Sequence, residues 1–177
     1  MRTMTARACA MALAAMLVCA GSAAAQVVAI GASNTYGSGR GRTAGGVDPS
    51  QAYPAQLERL LHARGLNVRV VNAGVPGDTT AGMLARLNSV VVEGTRVVII
   101  QPGGNDARRG GGGADAARNV EEMSQRLRSR GIRVIVLRNP LALVPPGSRD
   151  PDGQHFDARG HAAIARSLLP QVIGALH

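Results

Sequence analysis

Four short apolar runs punctuate the chain, at Val27–Ile30, Val68–Val71, Arg96–Gln101 and Ile132–Leu137. Each is rich in Val and Ile and continuous rather than alternating. Strands buried on both faces of a parallel sheet read this way. Between and after them the apolar period lengthens to that of a helix. Gln51–Arg64 puts Leu57, Leu60 and Leu61 on one face, with Ser50 as the expected N-cap and Gly65 as the stop. Thr79–Val91 turns Met83, Leu84 and Leu87 inward, and Ala114–Arg130 does the same with Val120, Met123 and Leu127 before Gly131. Asp157–Leu176 spaces Ile164, Leu168 and Val172 by four, with a kink expected at Pro170. Strand and helix thus alternate four times. The expected fold is α/β: a short parallel sheet of about four strands with helices on both faces.

The first segment breaks this pattern. Met1–Ala25 has Arg2 and Arg7, then apolar Ala8–Ala20, then Gly21-Ser22-Ala23-Ala24-Ala25. A basic start, an apolar centre and a small-residue end predict a secretory signal peptide. Residues 26–177 then form one exported domain, periplasmic or secreted. Both cysteines, Cys9 and Cys19, fall in the leader. The mature domain is therefore expected to have no disulfide, thiolate metal site or cysteine nucleophile.

Charge narrows the partners. All 20 basic residues are arginine, against 11 acids, for a formal net charge of +9. The absence of lysine excludes a Walker-type phosphate loop and a lysine Schiff base. The arginines are dispersed, and Tyr36, Tyr53 and Phe156 are the only aromatics. Stacking platforms for nucleic acid are therefore scarce and none is expected as a partner. Weak contact with an anionic envelope or membrane surface is compatible with the charge.

The conspicuous polar strings all follow predicted strands or precede the last helix. They are Gly31-Ala32-Ser33-Asn34, Asn72–Asp78, Gly103-Gly104-Asn105-Asp106 and Asp152-Gly153-Gln154-His155. In a parallel α/β sheet the carboxyl ends of the strands share one rim, where ligands bind. A serine at the exit of the first strand and a histidine three residues after an aspartate are the parts of a hydrolytic triad. Asp152, His155, Asp157 and His161 also cluster in sequence as carboxylates and imidazoles. Helical geometry separates His161 from the loop, so no metal site is expected.

In this order, the four blocks resemble those of the SGNH (GDSL-type) hydrolases, a flavodoxin-like, three-layer α/β/α esterase family. The likeness is greatest to small bacterial periplasmic lysophospholipase/thioesterase-type esterases and runs from about Val27 to the C-terminus. It implies Ser33 as nucleophile, His155 as base and Asp152 as the residue orienting the imidazole. It also implies an oxyanion hole made by the backbone N–H groups of Ser33 and Gly77 and the side-chain amide of Asn105. The implied activity is hydrolysis of carboxylic esters, without cofactor, through an acyl-serine. Candidate substrates are small acyl or aryl esters, lysophospholipids, thioesters and carbohydrate O-acetyl groups.

Two departures qualify the likeness. Ala32 stands where the family carries the acid of its GDSL motif, and Asp48 or Asp78 is the expected compensation. A catalytically weak binding protein of the cell envelope is the alternative that Ala32 admits. The segment from Asn105 to Asp152 is also short, with a proline-rich tether at Pro140–Pro151 and no room for a fifth strand and its helix. An open cleft suited to small acyl groups is expected.

Overall fold

The computed structural model describes residues 25–38 and 45–177. The predicted leader, up to residue 24, and most of the loop at Gly37–Gly46 lie outside the described residues. Four strands, β1 (Ala25–Gly31), β2 (Val68–Gly74), β3 (Thr95–Gln101) and β4 (Arg133–Val136), form one sheet in the order β2-β1-β3-β4. Every pairing is parallel. The sheet has four strands, as the short tail implied.

The central strands are buried on both sides. Val27, Val28, Ala29 and Ile30 of β1 are fully buried, as are Val97, Val98, Ile99 and Ile100 of β3. Alternate residues serve opposite layers because successive side chains of a strand point to opposite faces. Val27, Ala29, Val97 and Ile99 pack with Leu57 and Leu61 of α2 (Tyr53–His62) and with Ile164, Leu168 and Val172 of α7 (Ala158–Leu176). Val28, Ile30, Val98 and Ile100 pack with Met83 of α3 (Thr80–Ala85), Leu87 of α4 (Leu87–Val90), and Val120, Met123 and Leu127 of α6 (Gly113–Arg128). The result is a three-layer α/β/α fold.

Several boundaries differ from the periodicity. The helix expected from Gln51 begins at Tyr53, with Pro54 in its first turn. Pro49–Gln51 forms a separate 3₁₀ turn, in which the Asp48 side chain, rather than Ser50, caps by accepting from the Ser50 N–H. The Tyr53 N–H is held by His161 Nδ1 at 3.2 Å, which anchors the start of α2 to α7. The helix expected over Thr79–Val91 is two short helices broken at Arg86, whose side chain turns back to the strand ends. Pro170 lies inside α7, which continues through it to Leu176, and Asp157 caps the helix by accepting from Gly160 N–H.

The strand order places the change of direction at β1. The chain steps from β1 to β2 on one side and then to β3 on the other. The crevice beyond the carboxyl ends of β1 and β3 is where such sheets bind ligands.

Candidate active site

Ser33 opens α1 (Ser33–Tyr36), a single turn set directly on the end of β1. Gly31 permits that placement: a Cβ there would lie 2.0 Å from Thr35 Oγ1. The turn is held from below. Thr35, fully buried, donates to Gln101 Oε1 at 2.6 Å, and its oxygen lies 3.3 Å from the Tyr53 hydroxyl. Burial pushes the Tyr53 phenol well above its ordinary pKa, so it stays a neutral hydrogen-bonding group.

Ala32 is buried within the apolar layer of Met83 and Ile100. Arg86 braces its loop. The guanidinium donates to the carbonyls of Gly31 at 3.1 Å and Ala73 at 2.8 Å, and to Asp78 Oδ2 at 2.8 Å. Asp78 therefore reaches the first strand end through Arg86. Asp48 has no such part, being spent on the turn before α2.

His155 sits in the loop before α7. Asp152 shapes that loop by accepting at Oδ1 from the backbone N–H groups of Gln154, at 2.9 Å, and His155, at 3.0 Å. Its other oxygen receives His155 Nδ1 in a close contact. Partial burial opposes the charge on Asp152. The backbone and ring N–H groups of His155 and the Gln154 N–H outweigh it and hold the carboxyl down at about 2. An ionised Asp152 fixes the proton on Nδ1 and leaves Nε2 free as the proton acceptor.

Asn105 begins α5 (Asn105–Arg108) after β3. Its Nδ2 donates to the Asp78 carbonyl at 2.8 Å, which orients the amide and leaves a second N–H. Asp106 caps α3, accepting from Thr80 N–H at 3.1 Å and Thr80 Oγ1 at 2.6 Å. Gly77 has φ +80°, a left-handed conformation that favours glycine. The backbone N–H groups of Ser33 and Gly77 donate to no partner among the described residues.

Ser33, Asn105 and His155 line one cleft of about 230 Å³, with buried Gln101 among its other walls. Asp152 stands behind His155. Gly77 is not among the lining residues; its loop meets the cleft through Asp78, whose carbonyl carries the Asn105 amide. His161 is fully buried against Tyr53 and Phe156.

One contributor has no counterpart in the sequence reading. Asn34 donates through Nδ2 to the Gln154 carbonyl at 3.2 Å and accepts at Oδ1 from Phe156 N–H at 3.1 Å. The two bonds straddle His155 and tie its loop to the residue beside Ser33. The side chain's ability to donate and accept at once is visible in the sequence; its partners, more than 100 residues away, are not.

The comparisons agree with this architecture. Residues 29–174 match the GDSL-like Lipase/Acylhydrolase family. Esterase TesA of Pseudomonas aeruginosa is 42% identical over 93 residues, 52% of this chain and 46% of that protein. An arylesterase of Vibrio mimicus is 31% identical over 97 residues, 54% of this chain and 47% of that one. The chain thus spans about half the length of the curated relatives it matches. A crystal structure of TesA superposes with a TM-score of 0.72 at 26% identity, over 85% of this chain and 99% of that one. With the family match extending over most of the fold, the chain belongs to the GDSL-like lipase/acylhydrolase family.

Proposed function

We propose that the protein is a serine hydrolase that cleaves carboxylic esters of small acyl groups through an acyl-serine on Ser33. The observation that carries this reading is the meeting of Ser33, Asn105 and His155 on one cleft, with His155 Nδ1 held by ionised Asp152. Ser33 Oγ attacks the ester carbonyl carbon while His155 Nε2 takes its proton. The carbonyl oxygen becomes an oxyanion, received by the Ser33 N–H and the free N–H of Asn105, which line the cleft, with the Gly77 N–H, set back from that lining, as the third donor of the proposed hole. Collapse breaks the bond to the alcohol oxygen, which leaves with the proton from His155. Water, deprotonated by the same nitrogen, then attacks the acyl carbon and releases the acid and Ser33. A cleft of about 230 Å³ supports short acyl or aryl esters. Export by way of a leader at residues 1–25 belongs to the same reading. Its support is the basic, apolar and small-residue order of that segment, and a mature N-terminus at Gln26, read by mass spectrometry, is the expected result.

A fluorophosphonate probe tests the assignment. Wild type labels and turns over p-nitrophenyl acetate, Ser33→Ala does neither, and His155→Ala labels far more slowly. Asn105→Ala lowers kcat by roughly 10²-fold, the usual effect of losing one oxyanion donor. Labelling that survives Ser33→Ala, or a wild type inert to both reagents, would overturn the reading.

A further inference from the structure

The catalytic cleft continues into a second cavity of about 360 Å³, and the two share Asn34, Gln101, Gly103, Gly104, Arg149 and Gln154 as lining. Pro102, Pro140, Leu141 and Phe156 give the second cavity apolar wall, and Arg138 and Arg149 give it charge. Arg149 lines both spaces. It is oriented without being neutralised: a guanidinium nitrogen donates to the Gly153 carbonyl, and the group stands 5.8 Å from the centre of the Phe156 ring. Neither Arg138 nor Arg149 has a carboxylate within ion-pair distance among the described residues. No Asp or Glu occurs in residues 1–24 or 39–44. Nor does any carboxylate line either cavity among the described residues, because Asp152 is turned to His155. Arg108 also lines the catalytic cleft and donates to Asn105 Oδ1 at 3.2 Å.

Resting on the hydrolase reading above, we propose that the preferred substrate is an ester bearing a second, anionic group, a carboxylate or a phosphate. The ester reaches Ser33 while the anion pairs with Arg149 and Arg138 across the apolar wall. A guanidinium offers several N–H donors in a planar fork matched to both kinds of oxyanion. Arg149 spends one of them on Gly153, leaving the others for the ligand. The shared chemistry allows the anion on either side of the ester. It is the terminal carboxylate of a dicarboxylic half-ester on the acyl side, or the phosphate of an acylated glycerol phosphate on the alcohol side.

Matched substrates test this. On the acyl side, the mono-p-nitrophenyl ester of adipic acid is compared with its methyl-capped form. On the alcohol side, butyryl glycerol phosphate is compared with glycerol monobutyrate. At low salt the wild type favours one anionic member by about three- to tenfold in kcat/KM, a modest preference because both arginines are exposed. The pair that shows it identifies the side of the ester. The preference shrinks as salt is raised. Arg149→Gln and Arg138→Gln each reduce the anionic-to-neutral ratio, and Arg149→Lys keeps part of it. The ratio is the readout because Arg149 also braces the His155 loop through Gly153. Arg138, whose side chain makes no hydrogen bond among the described residues while its backbone N–H donates to the Val136 carbonyl, supplies the variant least entangled with folding. Ser33-dependent turnover with no preference in either pair, or a preference unchanged in both Gln variants, overturns the anion site and leaves the hydrolase standing. Failure of all four esters overturns both.

Discussion

Asn34 shows how one side chain can position the proposed catalytic pair, Ser33 and His155, through the backbone around them. Its two hydrogen bonds reach the backbone on both sides of His155, and its own backbone adjoins Ser33. Each bond is worth about 1 kcal/mol to stability, which is small. Its larger effect is on distance, since a displacement of about 1 Å between reacting groups can cost ~10²-fold in rate. Asn34→Ala is therefore expected to lower kcat by about ten- to a hundredfold, with KM changed little and the thermal midpoint lowered by only a few degrees. Asn34→Asp keeps an acceptor for Phe156 N–H but sets a carboxylate oxygen against the Gln154 carbonyl, so it recovers only part of the loss. Steady-state kinetics beside a melting curve separates this from a folding defect. Equal losses in kcat and midpoint would assign Asn34 to structure alone.

At the level of elements, Arg86 and His161 do work that local pattern does not announce. Arg86 interrupts a helix to satisfy carbonyls at the ends of β1 and β2, and its ion pair with Asp78 is largely shielded from water. Arg86→Ala leaves the Asp78 charge unpaired and takes a donor from the Gly31 and Ala73 carbonyls, the first of which keeps the Val75 N–H. It should destabilise the fold by about 3 kcal/mol and slow catalysis by loosening the Ser33 loop. Chemical denaturation with an unchanged midpoint would show the brace to be dispensable. The strand ends were legible because buried Val and Ile runs stop at small and polar residues. The break at Arg86 was not, because its cause is a carbonyl 55 residues away. The start of α2 was misread for a similar reason: Tyr53 N–H finds its acceptor on His161, 108 residues on.

His161 also gives stability a pH dependence with a definite sign. Burial holds its pKa at about 4, against the pull of the Gly37 carbonyl and the Asp157 charge, while the neighbouring His155 also disfavours protonation. The unfolded chain binds the proton near the ordinary histidine value of about 6.5. Between those values the unfolded state holds more protons, so stability falls as pH drops from about 6.5 towards 4. The full effect is about 3 kcal/mol. Protonation would also place a donor at Nδ1 facing the Tyr53 N–H, detaching the start of α2. The thermal midpoint should decline over that window, and His161→Gln should flatten that part of the profile whatever it does to absolute stability. A wild-type profile flat from pH 7 to 4.5 would contradict the assignment.

For the whole molecule, the short tail that made four strands foreseeable leaves β4 as a sheet edge. Val136 is followed by a 3₁₀ turn at Pro140–Leu143 and a long connection to α7, with no further strand beside it among the described residues. An edge strand presents unpaired backbone groups that can recruit another chain. Three features limit that here. The strand has only four residues, Pro140 soon follows it, and Arg133 and Arg138, both exposed, flank its apolar Val134-Ile135-Val136. Arginine resists edge-to-edge pairing because two such edges would bring like charges together with their hydration stripped away. Arg133→Val removes that obstacle and makes Ile132–Leu137 an unbroken apolar run of six residues. The variant is expected to associate at concentrations where the wild type does not, with the difference growing as protein concentration rises. Its hydrolysis per chain should be unchanged while the chains remain soluble, since Arg133 lies outside the lining of the proposed catalytic cleft. Sedimentation velocity over a concentration series reads the outcome. Identical distributions for the two proteins would mean that strand length and Pro140 guard this edge without help from charge.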